Sequence, residues 1–273
     1  MNLIHKICTF TTPMNADQLK IRFLGTGTSQ GIPVIGFDHP VNLSDNPKDK
    51  RLRTSVLITK NNKNVNIDCG PDFRQQILKA GIKSMEGILF THKHNDHVLG
   101  LDDTRPFIHI AGKPMDIFGN EETLSDIRQR FPYAFTAKKY PGAPSFNEHI
   151  IGLNEFEFSG FKIQPLEVIH GDLPILGYLI DDKFAYITDA SFLPDDTLDK
   201  ISGVEVLVLN ALRKREKHFS HYTLEEALDI VDQVKPGRSY FTHISLGMGF
   251  HDKTQSELPE NVFLAYDELE IVI

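Results

Sequence analysis

The segment FTHKHNDHVLG, at residues 90–100, places three histidines and one aspartate within six positions. It follows the apolar run GILF, which is typical of a buried strand. His92 and His94 are two residues apart, so in extended backbone their side chains point to the same side. Asp96 and His97 are expected to open a short helix, where neighbouring side chains diverge toward a second point. We therefore predict two metal ions about 3.5–4 Å apart, the spacing of metal pairs used for hydrolysis.

The net charge and composition of the chain limit the kinds of molecule that it is expected to bind. The chain has 273 residues and a net charge of −8, which disfavours a broad surface for duplex nucleic acid or membrane. A small anionic substrate is compatible with this charge, because a metal supplies a positive field locally. No apolar run approaches the roughly 20 residues of a membrane span. With only two cysteines, a disulfide framework is not expected and the protein is predicted to be cytoplasmic.

Short strands dominate the pattern, with few helices between them. The predicted strands are Lys20–Leu24, Ser55–Lys60, Asn64–Asp68, Gly87–Phe90, Met115–Phe118, Phe161–Val168, Leu176–Ile180, Phe184–Ile187, Val204–Leu209, Ser239–Phe241 and Glu270–Ile273. The predicted helices are Phe73–Ala80, Asn120–Phe131 and Thr223–Val234. We expect one α/β (α+β) domain over residues 19–273, built of two packed sheets with helices outside, and a loose extension over residues 1–18.

Three local signals refine this outline. Asp72 is placed to cap the helix that starts at Phe73. Thr223 and Glu226 have the spacing of a capping box. The stretch from Arg130 to Ile150 is rich in Pro, Gly and aromatic residues, which predicts a surface excursion that could cover a site.

The motif His-x-His-x-Asp-His resembles that of the metallo-β-lactamase superfamily. The resemblance implies a four-layer αββα sandwich of two mixed sheets flanked by helices, with the site at one edge. It also implies three later ligands after apolar strands: His170 ends PLEVIH, Asp189 ends FAYITD and His243 ends SYFTH. Asp68, which ends VNID, resembles the family's strand-end aspartate and would orient a ligand histidine. A turn-forming aspartate is the alternative.

The resemblance also distributes the ligands between two divalent metal ions. One ion takes His92, His94 and His170, the other takes Asp96, His97 and His243, and Asp189 bridges them. All the donors are nitrogen or oxygen, which suits zinc, with manganese as the alternative.

Two further segments resemble the phosphodiesterase branch, which includes the phosphoribosyl cyclic phosphodiesterases and the tRNA 3′-processing endonucleases (tRNase Z). The first is FLGTGTSQGIPVIG, whose glycine spacing is not that of a dinucleotide-binding loop. The second is HFSHYTLEEALDIV, at residues 218–231, which resembles the branch's His-Ser/Thr-Thr region. The resemblance implies that His221 faces the scissile phosphate and donates a proton to the leaving oxygen. His218 would be a supporting phosphate contact, and exposed histidines at a helix flank are the alternative.

The segment NPKDKRLRTSVLI resembles the cyclic phosphodiesterases more than tRNase Z. Arg53 within it is a candidate substrate contact, with a structural salt bridge as the alternative. Relatives carry Cys-x-Cys-x-x-Cys after the first loop, where this chain has Phe37, His39 and Asn42. We therefore expect no third, structural zinc, even though His251 could supply one ligand.

These features favour a dinuclear metal-dependent phosphodiesterase for small phosphodiesters, cyclic or nucleotide-like. A metal-bridging hydroxide would attack phosphorus, with Asp96, His218 and His221 as the catalytic residues. One alternative is a tRNA 3′ endonuclease, and another is a lactamase, thioesterase or lactonase. A third is a cofactor-handling binding protein that resembles the family's pyrroloquinoline-quinone member. A homodimer is implied by resemblance alone.

Overall fold

The computed structural model describes residues 18–273. The strands of this range are β1 (Lys20–Gly25), β2 (Ser55–Lys60), β3 (Lys63–Ile67), β4 (Gly87–Leu89), β5 (Met115–Gly119), β6 (Phe146–Ile150), β7 (Phe156–Phe158), β8 (Phe161–His170), β9 (Leu173–Ile180), β10 (Phe184–Ile187), β11 (Val206–Asn210), β12 (Arg238–Thr242), β13 (Val262–Leu264) and β14 (Glu270–Val272). The α-helices are α1 (Phe73–Ala80), α2 (Asn95–Val98), α3 (Arg105–Ala111), α4 (Glu121–Arg130), α5 (Pro132–Phe135), α6 (Asp195–Ile201), α7 (Leu224–Val234) and α8 (His251–Gln255). The predicted extension lies outside the described residues except for its last residue, and the domain boundary stays a prediction.

The strands form two seven-stranded sheets, ordered β14-β1-β2-β3-β4-β5-β6 and β13-β12-β11-β10-β9-β8-β7. In the first sheet β14 to β3 pair antiparallel and β3 to β6 pair parallel. In the second sheet β13 to β10 pair parallel and β10 to β7 pair antiparallel. Both sheets are therefore mixed, as predicted.

The central strands β10 and β11 of the second sheet are apolar on both faces because that sheet is covered on both sides. Along β11, Val206 and Val208 belong to the core between the two sheets, whereas Leu207 and Leu209 belong to the core beneath α6 and α7. Successive side chains of a strand point to opposite faces, so one apolar run serves two cores. A third core packs α1 and α4 on the outer face of the first sheet. The result is the four-layer αββα sandwich that the sequence predicted.

Of the two helix caps predicted from the sequence, the structure confirms the one at α7 and not the one at α1. At α7 the capping box is confirmed, because Thr223 and Glu226 bond to each other's backbone N–H. At α1 the prediction was wrong, because Asp72 makes no side-chain capping bond. Its carboxylate instead accepts hydrogen bonds from the backbone and guanidinium of Arg53, and a charged donor outcompetes the helix N–H groups.

The predicted surface excursion was wrong for its last part. Phe146–Ile150 forms β6, an edge strand parallel to β5. Four of its five residues are exposed, so it lacks the apolar alternation by which strands are recognised. The strands β7 and β13, of three residues each, were not predicted from the sequence. Among the described residues, no helix is both long and apolar enough to cross a membrane.

Candidate metal centre

Three of the predicted site residues sit at strand ends with the same unusual backbone. Asp68 follows β3, Asp189 follows β10 after one intervening residue, and His243 follows β12. Their φ angles are 59°, 58° and 55°, in the left-handed region that residues with a Cβ rarely adopt. Such backbone conformations cost free energy and cluster at functional sites. The strand ends therefore mark this part of the sandwich as the candidate site.

The structure brings the first predicted ligand set together. His92, His94 and His170 each offer a ring nitrogen, and these nitrogens lie within 4.8 Å of one another. His92 and His170 are buried, whereas His94 is exposed, so the cluster opens to solvent through His94. This is the three-nitrogen arrangement of a divalent cation site that keeps a position for water or substrate.

Hydrogen bonds fix which nitrogen faces the cluster. His170 Nδ1 lies 2.8 Å from the carbonyl oxygen of Ser220, which only accepts, so Nδ1 carries the proton and Nε2 keeps its lone pair. The Thr91 hydroxyl donates to Asp68 and accepts from Nδ1 of His92, at 3.0 Å. Both rings are thereby held in the tautomer that a metal requires.

The second predicted ligand set also converges. Asp96, His97 and His243 form a cluster whose ligand atoms lie within 4.8 Å of one another. His97 Nε2 is 3.3 Å from Asp96 Oδ2, and His243 Nε2 is 3.8 Å from the same oxygen. Asp96 and His97 reach this point from α2, the short helix that the sequence predicted.

Asp189 lies between the two clusters. Its Oδ1 is 3.1 Å from His243 Nε2, and its Oδ2 is 3.4 Å from His97 Nε2. Asp189 also groups with His92 and His97, and separately with His170 and His221. It is thus the carboxylate placed to contact cations at both clusters, as expected of a bridging ligand.

The chemistry of the donor set fits cations. Buried atoms without a hydrogen-bond partner include Nε2 of His97 and both ring nitrogens of His243, and buried polar atoms are normally partnered. Burial lowers the pKa of His92 well below its usual value. Burial also lowers the pKa of His97, but Asp96, Asp189 and Asp68 outweigh it and raise that pKa overall. The cluster therefore attracts positive charge at His97, and a bound cation would displace the proton there.

Asp68 is fully buried and contacts the second cluster through His97. Its Oδ2 accepts a hydrogen bond from His97 Nδ1 at 2.7 Å. The backbone N–H and the hydroxyl of Thr91 donate to its two oxygens, each at 2.8 Å. These contacts place Asp68 directly against His97, and its role in orienting a ligand histidine stays a prediction.

His218 and His221 lie beside the clusters. The ring centroids of His221 and His243 are 4.8 Å apart, and those of His218 and His221 are 5.0 Å apart. Burial, reinforced by His243, lowers the pKa of His221 to about 3. Its Nδ1 is 3.8 Å from Asp189 Oδ1, too far for a hydrogen bond. The acid role of His221 stays a prediction. Its grouping with His170 and Asp189 also makes it a candidate ligand, which the sequence did not suggest.

The guanidinium of Arg53 is bound by two partners within the described residues. Its guanidinium bonds to Asp72 at 3.0 Å and to the carbonyl of Ser29 at 3.1 Å. The geometry matches the structural salt bridge that was the alternative interpretation. A role for Arg53 as a substrate contact stays a prediction.

The two histidines considered as ligands of a structural zinc, His39 and His251, each have another partner. His39 Nδ1 accepts from the backbone of Val41, and His251 Nδ1 is 3.1 Å from the buried guanidinium of Arg51. Burial lowers the pKa of Arg51 to about 10, so it is cationic at neutral pH. A cation already faces His251, which disfavours a metal there.

The partners that orient the candidate ligands were not predicted from the sequence. Thr91 precedes His92 directly, and a hydroxyl beside the motif was a usable signal. The carbonyl of Ser220 lies 50 positions from His170, and no local pattern indicates that contact.

The sequence profile described as "Beta-lactamase superfamily domain" matches residues 63–244. The chain belongs to the metallo-β-lactamase superfamily, which confirms the resemblance. A solved structure described as a new diphosphatase from the PhnP family is 38% identical, with a TM-score of 0.88, and the match covers 94% of this chain and 97% of that one.

Two curated relatives are longer than the present chain. An octanoyltransferase from Porphyromonas gingivalis is 38% identical over 257 residues, covering 92% of this chain and 51% of that protein. A ribonuclease Z from Methanococcus maripaludis is 29% identical over 170 residues, covering 59% of this chain and 48% of that protein. The chain thus spans about half the length of the curated relatives it matches.

Proposed function

We propose that this chain is a metal-dependent phosphodiesterase that hydrolyses small phosphodiesters, cyclic or nucleotide-like. The observation that carries the proposal is the pair of three-residue clusters joined by Asp189, with His221 and His218 directly beside them. A monoanionic phosphodiester is a hard oxygen ligand that fits such a cationic centre. Two divalent cations, zinc or manganese, would act as Lewis acids and lower the pKa of a water molecule.

The residues of the chain divide this work between them. Asp68 and Thr91 hold His97 and His92 in place, so that reorganisation during the reaction is small. The buried carboxylates of Asp96 and Asp189 stay ionised, because neighbouring imidazoles hold the pKa of each well below its usual range despite burial. His218 and His221 would contact the phosphoryl oxygens and the leaving group.

The similarity to the PhnP-family diphosphatase supports phosphorus chemistry, and the net charge supports a small substrate. A diphosphate linkage joins two phosphoryl groups, so the diphosphatase of the PhnP family also acts at phosphorus. The net charge of −8 disfavours a long polyanion such as tRNA. Cleavage of precursor tRNA by the purified protein would favour the ribonuclease Z alternative. The homodimer remains a prediction, and its molar mass can be measured by light scattering.

The test is hydrolysis of bis(4-nitrophenyl) phosphate beside 4-nitrophenyl phosphate, with protein reconstituted in zinc or manganese. We expect turnover of the diester, loss of turnover with a chelator, and recovery when the metal is restored. Turnover of the monoester alone, or none with two metals bound, contradicts the proposal.

Alanine at His221 is expected to lower kcat for the diester by about 10²–10⁴-fold, the usual contribution of general acid–base catalysis. Because the pKa of His221 is about 3 without substrate, the acid role requires that the bound phosphodiester anion raise it. Metal content should stay at two per chain if His221 contacts the leaving group. Loss of one metal together with activity would show instead that His221 is a ligand with His170 and Asp189. Alanine at His109, an exposed histidine of α3, is the matched control and should change neither quantity.

A carboxyl-ester hydrolase is the second candidate. It is favoured by the similarity to the octanoyltransferase, because octanoyl transfer breaks and forms a bond to an acyl carbon. Hydrolysis of 4-nitrophenyl octanoate, measured beside the diester with the same metal, separates the candidates. A higher kcat/KM for the octanoate would favour acyl chemistry.

A further inference from the structure

Phe219 is an unusually placed exposed aromatic residue. Its side chain is 83% exposed, although it stands between His218 and Ser220, next to the metal centre. Single exposed apolar residues are common on protein surfaces, so exposure alone does not indicate a binding role. The position of the Phe219 ring relative to the two clusters is the informative observation.

Phe219 forms the outer end of a row of four rings that leads to the second cluster. The ring centroids of Phe219 and His218 are 4.9 Å apart, with an interplanar angle of 33°. The next pairs are His218 with His221, at 5.0 Å and 32°, and His221 with His243, at 4.8 Å and 25°. The row thus runs from solvent to a buried candidate ligand, and each ring is tilted by 25° to 33° from the next.

The backbone around Phe219 holds the ring without burying it. Gly171 directly follows His170, and a Cβ added there would lie 3.3 Å from two carbons of the Phe219 ring. On the other side, the guanidinium of Arg213 donates to the carbonyls of Glu216 and Lys217 and so braces the loop before the ring. The exposed ring therefore lies beside His218 and against Gly171, the residue that follows the candidate ligand His170.

We propose that Phe219 stacks on a planar ring of the substrate, so that the site selects phosphoesters that carry a nucleobase. The inference rests on the proposed function, because it assumes that the phosphoryl group lies at the clusters. Every nucleobase has a π-face, so an aromatic side chain binds it without reading its hydrogen-bonding edge. The site would therefore bind substrates that carry any nucleobase more tightly than substrates that carry none.

The test compares two ligands that differ only in the base. Adenosine 5′-monophosphate and ribose 5-phosphate are titrated by calorimetry into the protein loaded with zinc. We expect adenosine 5′-monophosphate to bind about tenfold more tightly, within the range of base–aromatic stacking. In Phe219→Ala the difference should shrink to within about twofold, and Phe219→Tyr should restore it because tyrosine keeps the ring.

Phe37→Ala is the matched control, since Phe37 is also a well-exposed phenylalanine and lies in the loop before the first 3₁₀ helix. Its preference for the nucleotide should equal that of the wild type. Equal affinity of the two ligands for the wild type, or an unchanged preference in Phe219→Ala, would overturn the inference. The measurement needs no turnover, so it is separable from the diester assay, where absence of hydrolysis counts against the proposed function itself.

Discussion

Alanine in place of Asp189 is expected to abolish hydrolysis of the diester and to reduce the metal content from two ions toward one. Asp189 approaches both clusters, with its oxygens 3.1 Å from His243 Nε2 and 3.4 Å from His97 Nε2. Without this carboxylate, two dications would repel each other across a short distance with one negative charge fewer between them. Turnover and metal content should be measured on the same purified sample.

Asp45→Ala is the control for Asp189→Ala, because it removes an exposed carboxylate from a surface loop. It should keep both activity and two metals. If Asp189→Ala retained full activity, the assignment of a bridging role would fail. If it retained two metals but lost activity, Asp189 would serve the reaction without being needed to hold the second cation.

Asparagine at Asp68 is expected to lower both metal affinity and stability. The carboxylate accepts from His97 Nδ1 and from two donors of Thr91, whereas an amide places an NH₂ where one of its oxygens accepted. One orientation of the amide leaves the backbone N–H of Thr91 without an acceptor. The other turns the NH₂ toward His97, whose proton must then move to Nε2, the nitrogen that faces Asp96 and Asp189. We expect metal affinity to fall about 10–100-fold, as for other partners of metal ligands.

The stability of the same variant is measured on metal-free protein by urea denaturation. We expect the free energy of unfolding to fall by about 2–4 kcal/mol, since buried donors lose their acceptor. Asp116→Asn is the matched control, because Asp116 also pairs with a histidine, His149, at 2.7 Å but near the surface. Effects of Asp68→Asn no larger than those of Asp116→Asn would show that Asp68 does not orient His97.

Most of the fold could be predicted because its strands carry strong local signals. The runs at β2 and β10 were placed with their observed bounds, and their residues are apolar enough to fill cores on both faces. β6 escaped detection because an exposed edge strand is defined by its hydrogen-bonded partner, β5, and not by its own pattern. The side chain of Asp72 was misjudged for a related reason, since its partner Arg53 comes from another element.

The sequence by itself determined the family and predicted the candidate metal ligands, because the histidine motif and the strand-end residues carry a spacing with few other uses. Tertiary structure decided which atoms face one another. Ser220 fixes the tautomer of His170 across 50 positions, and the ring of Phe219 lies against Gly171, which directly follows His170. Metal ligands are conspicuous in sequence because their chemistry is rare and local. The partners that orient them are ordinary residues, and long-range packing alone brings them into contact.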